Sequence, residues 1–373
     1  MLITAAVIRA PMSEFTLEKL RLDAPRADEV RVRVVGAGLC HTDLVGVAGA
    51  FPLSLPAVFG HEGAGIVEET GSAVRKVKAG DRVIITFRSC GTCANCVARH
   101  PAYCYTMPQL NFTGVRTDGT KTLFDAQGPI SGSFFGQSSF ATHVLAYERN
   151  LVKVPDDVPL AIMGTLGCGV QTGAGAVMRA MKCPPDSSLL VLGGGAVGLS
   201  AVLAAVVQSC ATIIVVEPHA VRRELALSLG ATHVIDPASE GLAAAVRHIV
   251  PDGVNFVFDT TGIPEVVEAA ADCLAPQGVF GFVGVPKAVD FGMKLPSTML
   301  NVISRGYTYM GIIEGDSEPD EFIPRLIALY RTGRFPFDRL IKTYPLSAIN
   351  KAVTDQGSGR CVKAVLLAEN GKE

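Results

Sequence analysis

The sequence predicts an α/β protein with two parts, the second built on a doubly wound parallel sheet. Residues 1–36 have the pattern of strands, and Val30–Val34 alternates apolar with basic residues as a half-exposed strand does. A Gly-x-Gly-x-x-Gly motif at 193–198 lies between an apolar run of strand length and an apolar helix. After this motif, strands alternate with alanine-rich helices, an order typical of parallel sheets covered on both faces.

Composition limits the possible functions. The chain has 373 residues, enough for two domains or one large one, and its net charge of −2 gives no basic field for nucleic acid or an anionic membrane. The N-terminus lacks a signal peptide's pattern, and the longest apolar stretch, 196–207, is too short to cross a bilayer. Ten cysteines without an export signal indicate a reducing compartment and metal binding. We therefore expect a cytoplasmic protein that binds neither nucleic acid nor membranes.

Four cysteines in a short segment carry the most specific chemical pattern. Cys90, Cys93 and Cys96 make two Cys-x-x-Cys steps, and Cys104 follows after seven residues. Four thiolates at this spacing can surround one zinc ion and leave no open position, which is typical of a structural site. Buried or disulfide-bonded thiols are one alternative, and an iron–sulfur cluster, which uses a related spacing, is another. We call these four residues the four-cysteine cluster and interpret it as a structural zinc site.

A second candidate metal site is spread along the chain. Cys40 and His61 lie in the glycine-rich stretches 36–43 and 60–67, and Cys168 stands between two glycines. Each of the three alone would be typical of a protein core. Together, two thiolates and one imidazole leave the fourth corner of a zinc ion open, as a catalytic site requires. Neighbouring glycines would let the backbone approach the metal without strain.

The glycine motif predicts a dinucleotide site. Gly193 is expected to make the tight turn, Gly195 to let a pyrophosphate come close, and Gly198 to let the helix pack on the strand. The phosphates would meet the helix N-terminus, where unpaired N–H groups favour anions. The residues expected there are Ala196 and Val197. A glycine-rich turn that binds no nucleotide is the alternative.

An acidic residue after the next strand bears on the choice of cofactor. Glu217 lies 19 residues beyond the last glycine of the motif, and its carboxylate can accept hydrogen bonds from both ribose hydroxyls of NAD but repels a 2′-phosphate. Arg222 and Arg223 could attract that phosphate, so NADP stays open, although the sequence favours NAD. Ligands bind at the carboxyl ends of parallel strands. The later residues expected to border the cofactor are Thr260, Gly262, Val283 and Val285.

Taken together, these motifs resemble the zinc-containing medium-chain alcohol dehydrogenases. The similarity runs essentially from end to end, and the segments that carry it are 40–43, 60–65, the four-cysteine cluster and 193–198. Within the family, Gly311–Ser317 and Phe335–Asp338 look most like the bacterial aryl- or benzyl-alcohol dehydrogenases. The resemblance implies a GroES-like, mainly-β catalytic domain with both zinc sites and a Rossmann dinucleotide-binding domain. The expected ranges are 1–165 with 311–373 for the first and 166–310 for the second.

The resemblance also implies roles for the residues of the open site. Cys40, His61 and Cys168 would bind the catalytic zinc, and Glu62 would become a transient ligand when water or alcohol exchanges. Asp43 would accept a hydrogen bond from the far ring nitrogen of His61 and so fix its tautomer. The expected content is two zinc ions per subunit.

Proton transfer and substrate binding follow from the same comparison. Thr42 would hydrogen-bond the substrate oxygen and carry its proton away. Many family members have a histidine five residues after the first zinc cysteine, whereas this chain has Val45, which carries no protons. The proton would then leave through the cofactor ribose to water or to another base. The residues expected to line an apolar substrate pocket are Val45, Phe87, Leu110 and Phe112.

Further residues are expected to contact the cofactor by resemblance. His41 and Lys363 would lie against the pyrophosphate, Thr172 would touch the nicotinamide, and Arg222 would lie near the adenosine ribose. The edge strand near Thr308–Ile312 pairs with its twin in the family, which implies a homodimer or homotetramer.

The implied reaction is the reversible oxidation of a primary alcohol with an aromatic or allylic, hydrophobic body to its aldehyde. Hydride would pass from a zinc-stabilised alkoxide to NAD. A polyol or glutathione-dependent formaldehyde dehydrogenase on the same scaffold is an alternative, against which Val45 and Phe87 argue. A non-enzymatic NAD-binding zinc protein is another, against which the intact set of Cys40, His61 and Cys168 argues.

Overall fold

The structure, a computed structural model, describes residues 1–238, 241–287, 290 and 292–368. The chain forms two compact units. The first unit comprises Met1–Gly169, Glu318–Arg331 and the chain from Asp338 onward, and the second comprises Val170–Ser317 and Thr332–Phe337. These divisions differ from the expected ones at 165 and 311, so that Cys168 belongs to the first unit. The end of the expected first domain, 369–373, lies outside the described residues.

The described strands alternate with helices in the second unit and dominate the first. In chain order they are β1 (Leu2–Ile8), β2 (Thr16–Leu22), β3 (Glu29–Gly38), β4 (Ala57–Val58), β5 (Gly63–Thr70), β6 (Arg82–Ile85), β7 (Leu123–Phe124), β8 (Pro129–Ile130), β9 (His143–Tyr147), β10 (Leu151–Lys153), β11 (Ser188–Leu192), β12 (Thr212–Val216), β13 (His233–Ile235), β14 (Val254–Asp259), β15 (Leu274–Phe282), β16 (Thr308–Gly311), β17 (Ile341–Pro345) and β18 (Lys363–Leu367).

The helices are mostly short in the first unit and longer in the second. In chain order they are α1 (His41–Val47), α2 (Ala94–Val97), α3 (Met107–Asn111), α4 (Leu160–Met163), α5 (Gly169–Gly175), α6 (Ala196–Val207), α7 (Ala220–Ser228), α8 (Leu242–Ile249), α9 (Pro264–Ala271), α10 (Met299–Arg305), α11 (Pro319–Arg331) and α12 (Ile349–Gly357). A π-helical turn, Ala176–Ala180, continues α5, and a 3₁₀ turn spans Phe134–Gly136.

Two sheets form the first unit. One has the strand order β4-β1-β2-β7-β8, and the other has β10-β6-β5-β3-β18-β17 with β9 also paired to β3. The long strand β3 alternates as predicted: Val30, Val32 and Val34 are buried, while Arg31 and Arg33 are half-buried and reach acidic residues of β5. Because β3 ends at Gly38, two residues before Cys40, and β5 begins immediately after Glu62, this sheet holds two of the segments that carry the predicted open metal site.

One parallel sheet forms the centre of the second unit. Its order is β13-β12-β11-β14-β15-β16, and every neighbouring pair is parallel, which confirms the predicted doubly wound arrangement. All five residues of β11 are buried, as its apolar run predicts. The strand order reverses direction between β11 and β14, and ligands bind outside the carboxyl ends of the strands at such a point. Gly193 and Thr260 follow these two strands directly.

Apolar helices are few. Among the described residues, no single helix has both the length and the apolar composition needed to cross a membrane. One bent pair, Leu160–Gly167 with Gly169–Ala180, meets these two criteria only when its members are taken together.

Candidate functional site

Four side chains from three distant segments converge in the first unit. Cys40 precedes α1, His61 and Glu62 precede β5, and Cys168 follows a 3₁₀ turn at Gly164–Gly167. One ligand atom from each of the four lies within 4.8 Å of the others. Sulfur and imidazole donors at this separation could hold one zinc ion. We call this group the open set.

His61 is oriented for metal binding. Its side chain is fully buried, and Nδ1 lies 2.8 Å from Asp43 Oδ1. Asp43 also accepts hydrogen bonds from the backbone N–H groups of Cys40 and Gly60, each at 3.0 Å, so its position is fixed from three sides. The carboxylate makes Nδ1 the donor, and the buried Nε2 has no hydrogen-bond partner among the residues that the structure describes. An imidazole nitrogen left free in this way fits a metal ligand whose tautomer is set by its neighbour.

The thiol of Cys40 is prepared to lose its proton. A hydrogen bond with the Cys168 thiol, and then the contact with His61, hold the pKa of Cys40 well below its usual value although burial opposes the shift. A thiolate is the form of cysteine that binds metals, so this shift favours coordination. The Cys40 sulfur also lies 3.7 Å from Thr42 Oγ1. Thr42 is half-buried in the first turn of α1, whereas His41 beside it is exposed.

A buried ion pair flanks the open set. Lys363 Nζ lies 2.6 Å from the carboxylate of Glu62 and donates to the Leu39 carbonyl oxygen at 3.0 Å. Glu62 also accepts from the Gly169 N–H at 3.0 Å. Burial raises the pKa of the Glu62 carboxyl to about 7, and the charge of Lys363 opposes the increase. The sequence did not predict this pairing, and the pyrophosphate contact expected of Lys363 stays a prediction.

Aromatic rings form a continuous wall beside His61. Phe135 stacks on the imidazole with ring centroids 4.5 Å apart, and Phe134 meets it edge-on at 5.7 Å. Phe112 contacts Phe135 at 5.4 Å and stacks on Phe51 at 4.6 Å. We call these four phenylalanines the aromatic wall. Of them, sequence reasoning singled out Phe112 alone as a pocket residue. The adjacent pair Phe134-Phe135 was the available signal, because two aromatic residues are unusual at the end of a polar, glycine-rich segment.

The other expected pocket residues are less clearly connected to the open set. Phe87 and Leu110 are buried, and Val45 is half-buried in α1. Their role as pocket residues stays a prediction.

The four-cysteine cluster is compact. One sulfur from each of Cys90, Cys93, Cys96 and Cys104 lies within 4.8 Å of the others, and the Cys90 and Cys96 sulfurs are 3.9 Å apart. Zinc–sulfur bonds of about 2.3 Å in a tetrahedron place sulfurs about 3.8 Å apart, so the cluster fits zinc. Backbone N–H groups of Thr92 and Cys93 hydrogen-bond the Cys90 sulfur and lower its pKa to about 5. None of the ten cysteines, all of which lie among the described residues, forms a disulfide.

The glycine motif in the second unit has the features of a phosphate cradle. Gly193 has φ +97°, a left-handed conformation suited to glycine. A Cβ on Gly198 would lie 1.9 Å from the Gly193 carbonyl oxygen, so only glycine allows α6 to pack this closely. A Cβ on Gly195 would meet nothing within 4 Å and would instead project into the open space before the helix N-terminus. Ala196 and Val197 form the first turn of α6 there, and their contact with phosphate stays a prediction.

Glu217 lies beside this cradle. Its carboxylate accepts from the Gly194 N–H and the His219 N–H, both at 2.8 Å, and Arg222 Nη1 lies 3.9 Å away. Arg223 is turned toward other partners: it donates to the Glu217 and Pro218 carbonyl oxygens and pairs with Asp236 at 3.0 Å. A carboxylate therefore stands at the end of β12, where the ribose of a dinucleotide would bind.

The remaining expected cofactor residues lie in the second unit. Thr260 follows β14 and donates to the Leu192 carbonyl oxygen at 2.7 Å, which joins the ends of β11 and β14. The Val283 N–H bonds the Asp259 carbonyl oxygen, and a Cβ on Gly262 would lie 2.7 Å from the Val285 backbone. Val285 itself is 45% exposed and Thr172 is buried in α5. Thr260, Gly262, Val283 and Val285 thus gather at the carboxyl edge of the sheet.

Comparison with known proteins gives two family matches. The family model described as the alcohol dehydrogenase GroES-like domain matches residues 26–156, and the one described as zinc-binding dehydrogenase matches residues 196–331. A geraniol dehydrogenase of Castellaniella defragrans is 47% identical over 365 residues, which covers 97% of each chain.

Solved structures agree with these matches. An alcohol dehydrogenase zinc-binding domain protein from Burkholderia ambifaria is 47% identical, with a TM-score of 0.95 and coverage of 98% of this chain and 99% of that one. A benzyl alcohol dehydrogenase from Acinetobacter calcoaceticus is 42% identical, with a TM-score of 0.94 and coverage of 99% of each chain.

Proposed function

Because the chain belongs to the zinc-containing medium-chain alcohol dehydrogenases, we propose that this alcohol dehydrogenase oxidises primary alcohols with an aromatic or allylic, hydrophobic body. The product is the aldehyde, the reaction is reversible, and NAD accepts the hydride. The open set of Cys40, His61, Cys168 and Glu62 would hold the catalytic zinc, and the four-cysteine cluster would hold a second, structural zinc.

The observation that carries this proposal is the junction of the open set with the aromatic wall. The unpartnered Nε2 of His61 belongs to a ring that stacks on Phe135, and Phe135 connects through Phe112 to Phe51. An apolar, aromatic surface beside the metal ligands suits a flat hydrophobic substrate body. The relatives act on alcohols of this kind, since one is a geraniol dehydrogenase and another a benzyl alcohol dehydrogenase.

The chain's own residues supply orientation and proton transfer. When bound, zinc acts as a Lewis acid that lowers the pKa of an alcohol hydroxyl. Asp43 keeps Nδ1 of His61 protonated, so that Nε2 is free to coordinate. Thr42, whose hydroxyl lies 3.7 Å from the Cys40 sulfur, would hydrogen-bond the substrate oxygen and accept its proton. Val45 cannot continue the relay, so the proton would pass through the cofactor ribose to water.

Glu62 has a distinct part in this scheme. Its carboxylate is one of the four groups close enough to bind the same ion, yet it is also paired with Lys363. The charge of Lys363 opposes the effect of burial on the pKa of Glu62, so the pairing would favour the carboxylate form beside a bound metal without committing it to coordination. This supports the expectation that Glu62 coordinates only transiently, while ligands exchange at the open corner.

The preference for NAD rests on Glu217. A buried carboxylate at the end of β12 would accept from ribose hydroxyls and repel a 2′-phosphate. Of the two arginines that could attract that phosphate, Arg223 is engaged by Asp236 and backbone carbonyls, and Arg222 Nη1 lies 3.9 Å from the Glu217 carboxylate. His41, Thr172 and Lys363 are further proposed contacts of the cofactor.

We propose a homodimer or homotetramer as the assembled state. The strand β16 stands at one end of the six-stranded sheet. The preceding helix, α10, exposes Met299, Leu300 and Ile303, each more than 70% accessible. An apolar patch next to an open sheet edge is typical of a surface covered by another subunit.

The proposal is tested by the absorbance of reduced nicotinamide. Benzyl alcohol or geraniol with NAD should give rapid reduction, and NADP should give at least tenfold lower kcat/KM. Sorbitol and hydroxymethyl-glutathione serve as substrates of the alternative polyol and formaldehyde dehydrogenases and should give little signal. If protein that contains zinc reduces NAD with none of the alcohols tested, that result would contradict an enzymatic function and favour a binding protein.

A further inference from the structure

We propose that Phe135 is a positioning residue for His61: its ring fixes the plane of the imidazole and thereby the direction of Nε2. The inference rests on the proposed zinc site but concerns a residue outside the ligand set. Phe135 is 3% exposed, and its ring lies 4.5 Å from the imidazole centroid with an interplanar angle of 26°.

The plane of the imidazole determines where a metal can bind. The lone pair of Nε2 lies in the ring plane, so a coordination bond must lie in that plane as well. The hydrogen bond from Nδ1 to Asp43 holds one point of the ring. The stacked face of Phe135 limits the remaining tilt, and the edge of Phe134, at an interplanar angle of 88°, supports the ring from a second direction. The two aromatic contacts therefore restrict the rotation of the imidazole that the hydrogen bond to Asp43 leaves free.

The backbone of Phe135 is strained, which indicates that the position of its ring matters and not only the volume that the ring fills. Phe135 has φ +51° and ψ +29°, a left-handed conformation that bulky residues rarely adopt. Ser138, three residues later, has φ +54°. Strained residues persist only where their surroundings hold them, and they are concentrated at functional sites.

The surroundings of Phe135 do hold it. Asn150 Nδ2 donates to the carbonyl oxygens of Phe135 at 3.3 Å and Gly136 at 3.5 Å. Gly136 has φ +63°, and a Cβ there would lie 2.1 Å from Arg88 Cδ, so both the backbone conformation and the close side chain favour glycine. The Ser138 hydroxyl accepts from the Phe134 N–H at 2.9 Å and donates to the Val58 carbonyl oxygen at 2.7 Å. The turn is thus fixed on both sides of Phe135.

The same turn is tied to the backbone of the zinc-ligand segment. Gln137 Nε2 donates to the His61 carbonyl oxygen at 2.9 Å, and Gln137 Oε1 accepts from the Gly63 N–H at 3.0 Å. Because Gln137 is fully enclosed, these two bonds keep the turn and the ligand segment in one fixed relation. The relative position of Phe135 and His61 is therefore fixed by hydrogen bonds between the two backbone segments that carry these rings.

The test uses cobalt at the open set as a spectroscopic probe. The protein is prepared with cobalt replacing zinc at the open set alone, at one cobalt and one zinc per chain by elemental analysis. The variants are Phe135→Leu and Phe135→Met, which remove the aromatic face, and Phe135→Tyr, which keeps it. Phe15→Leu is the matched control, because Phe15 is a buried ring that packs edge-on against Phe140 at 5.8 Å.

Phe135→Leu and Phe135→Met should shift the visible d–d bands of cobalt and release the metal to a chelator about 10-fold faster. This rate corresponds, at an unchanged association rate, to the low end of the roughly 10–100-fold loss of affinity seen when a residue that orients a metal ligand is replaced. Phe135→Tyr and Phe15→Leu should match the parent protein in both measurements. Lowered thermal stability in the Leu and Met variants with unchanged bands and release rates would overturn the inference. If the parent protein itself binds no metal at the open set, the proposed function fails instead.

Discussion

The two groups of metal-binding residues in the first unit differ in how they are built. Each brings four possible ligands within 4.8 Å of one another. The four-cysteine cluster lies within residues 90–104, and backbone N–H groups of the same segment stabilise its sulfurs. The open set joins residues 40, 61, 62 and 168, and its support comes from side chains: Asp43, Lys363 and the stacked Phe135.

The two types of metal site place different requirements on the fold. A closed site of thiolates needs only local backbone geometry, since four sulfurs satisfy the metal completely. An open site must keep three ligands in place while the fourth position changes, and this requires partners that fix each ligand independently. The following predictions test that contrast, from the largest effect to the smallest.

The largest effect is expected on removing a ligand of the open set. Cys168→Ser should lower kcat for benzyl alcohol by roughly 10³-fold or more, because a Lewis acid supplies several kcal/mol to the transition state. The variant should still fold, as judged by circular dichroism and thermal unfolding. Cys273→Ala, which removes a buried cysteine that belongs to neither group, should keep kcat within about twofold.

Removing a ligand of the four-cysteine cluster should affect stability instead. Cys93→Ser should lower Tm by about 10 °C, since losing a structural metal costs about 4 kcal/mol and each kcal/mol shifts Tm by about 2–4 °C. Assays well below Tm should give a kcat per folded molecule within a few-fold of the parent value. A loss of kcat as large as that of Cys168→Ser, with Tm unchanged, would remove the functional distinction between the two groups.

A smaller effect is expected at the residue that orients His61. Asp43→Asn keeps the shape of the side chain but loses its charge, and should lower zinc affinity at the open set or kcat by about 10–100-fold. Competition with a chromophoric chelator measures the affinity. Asp320→Asn, which removes an exposed partner of Lys76, is the control and should change neither quantity. Equal behaviour of the two variants would show that side-chain support is unnecessary.

The smallest effect is expected at the far end of the aromatic wall. Phe51→Leu removes the ring that stacks on Phe112 and should lower kcat/KM for benzyl alcohol by roughly 2–12-fold, the equivalent of about 0.5–1.5 kcal/mol for an aromatic pair. The effect on 1-hexanol should be smaller, because it has no ring to stack. Phe124→Leu, at a ring covered by Arg21, is the control. An equal loss with both alcohols would argue against the wall as a substrate surface.

The same contrast explains what could be predicted from the sequence. The glycine motif, the apolar run of β11 and the alternation of β3 predicted the parallel sheet and the strand-rich first unit, because these patterns are local. The spacing of Cys90, Cys93 and Cys96 is local as well. The glycine-rich surroundings of Cys40, His61 and Cys168 suggested an open zinc site, and the family resemblance, confirmed by the matches to both family models, implied their catalytic role.

Contacts between residues far apart in the chain could not be predicted from the sequence. Lys363 and Glu62 are separated by most of the chain, and only the pairing of β18 with β3 brings the lysine to the open set. The stack of Phe135 on His61 depends on a left-handed backbone at a phenylalanine, which residue preferences argue against. Both features arise from tertiary contacts that override local tendencies.

The most direct test of the central claim is metal reconstitution with paired readouts. Zinc is removed from the parent protein and from Cys168→Ser and added back in steps, while zinc content, Tm and NAD reduction with benzyl alcohol are followed. We expect the parent to take up two zinc ions per chain and to regain activity only with the ion that Cys168→Ser fails to bind. Full activity in parent protein that holds one zinc ion at the four-cysteine cluster alone would show that the open set needs no metal.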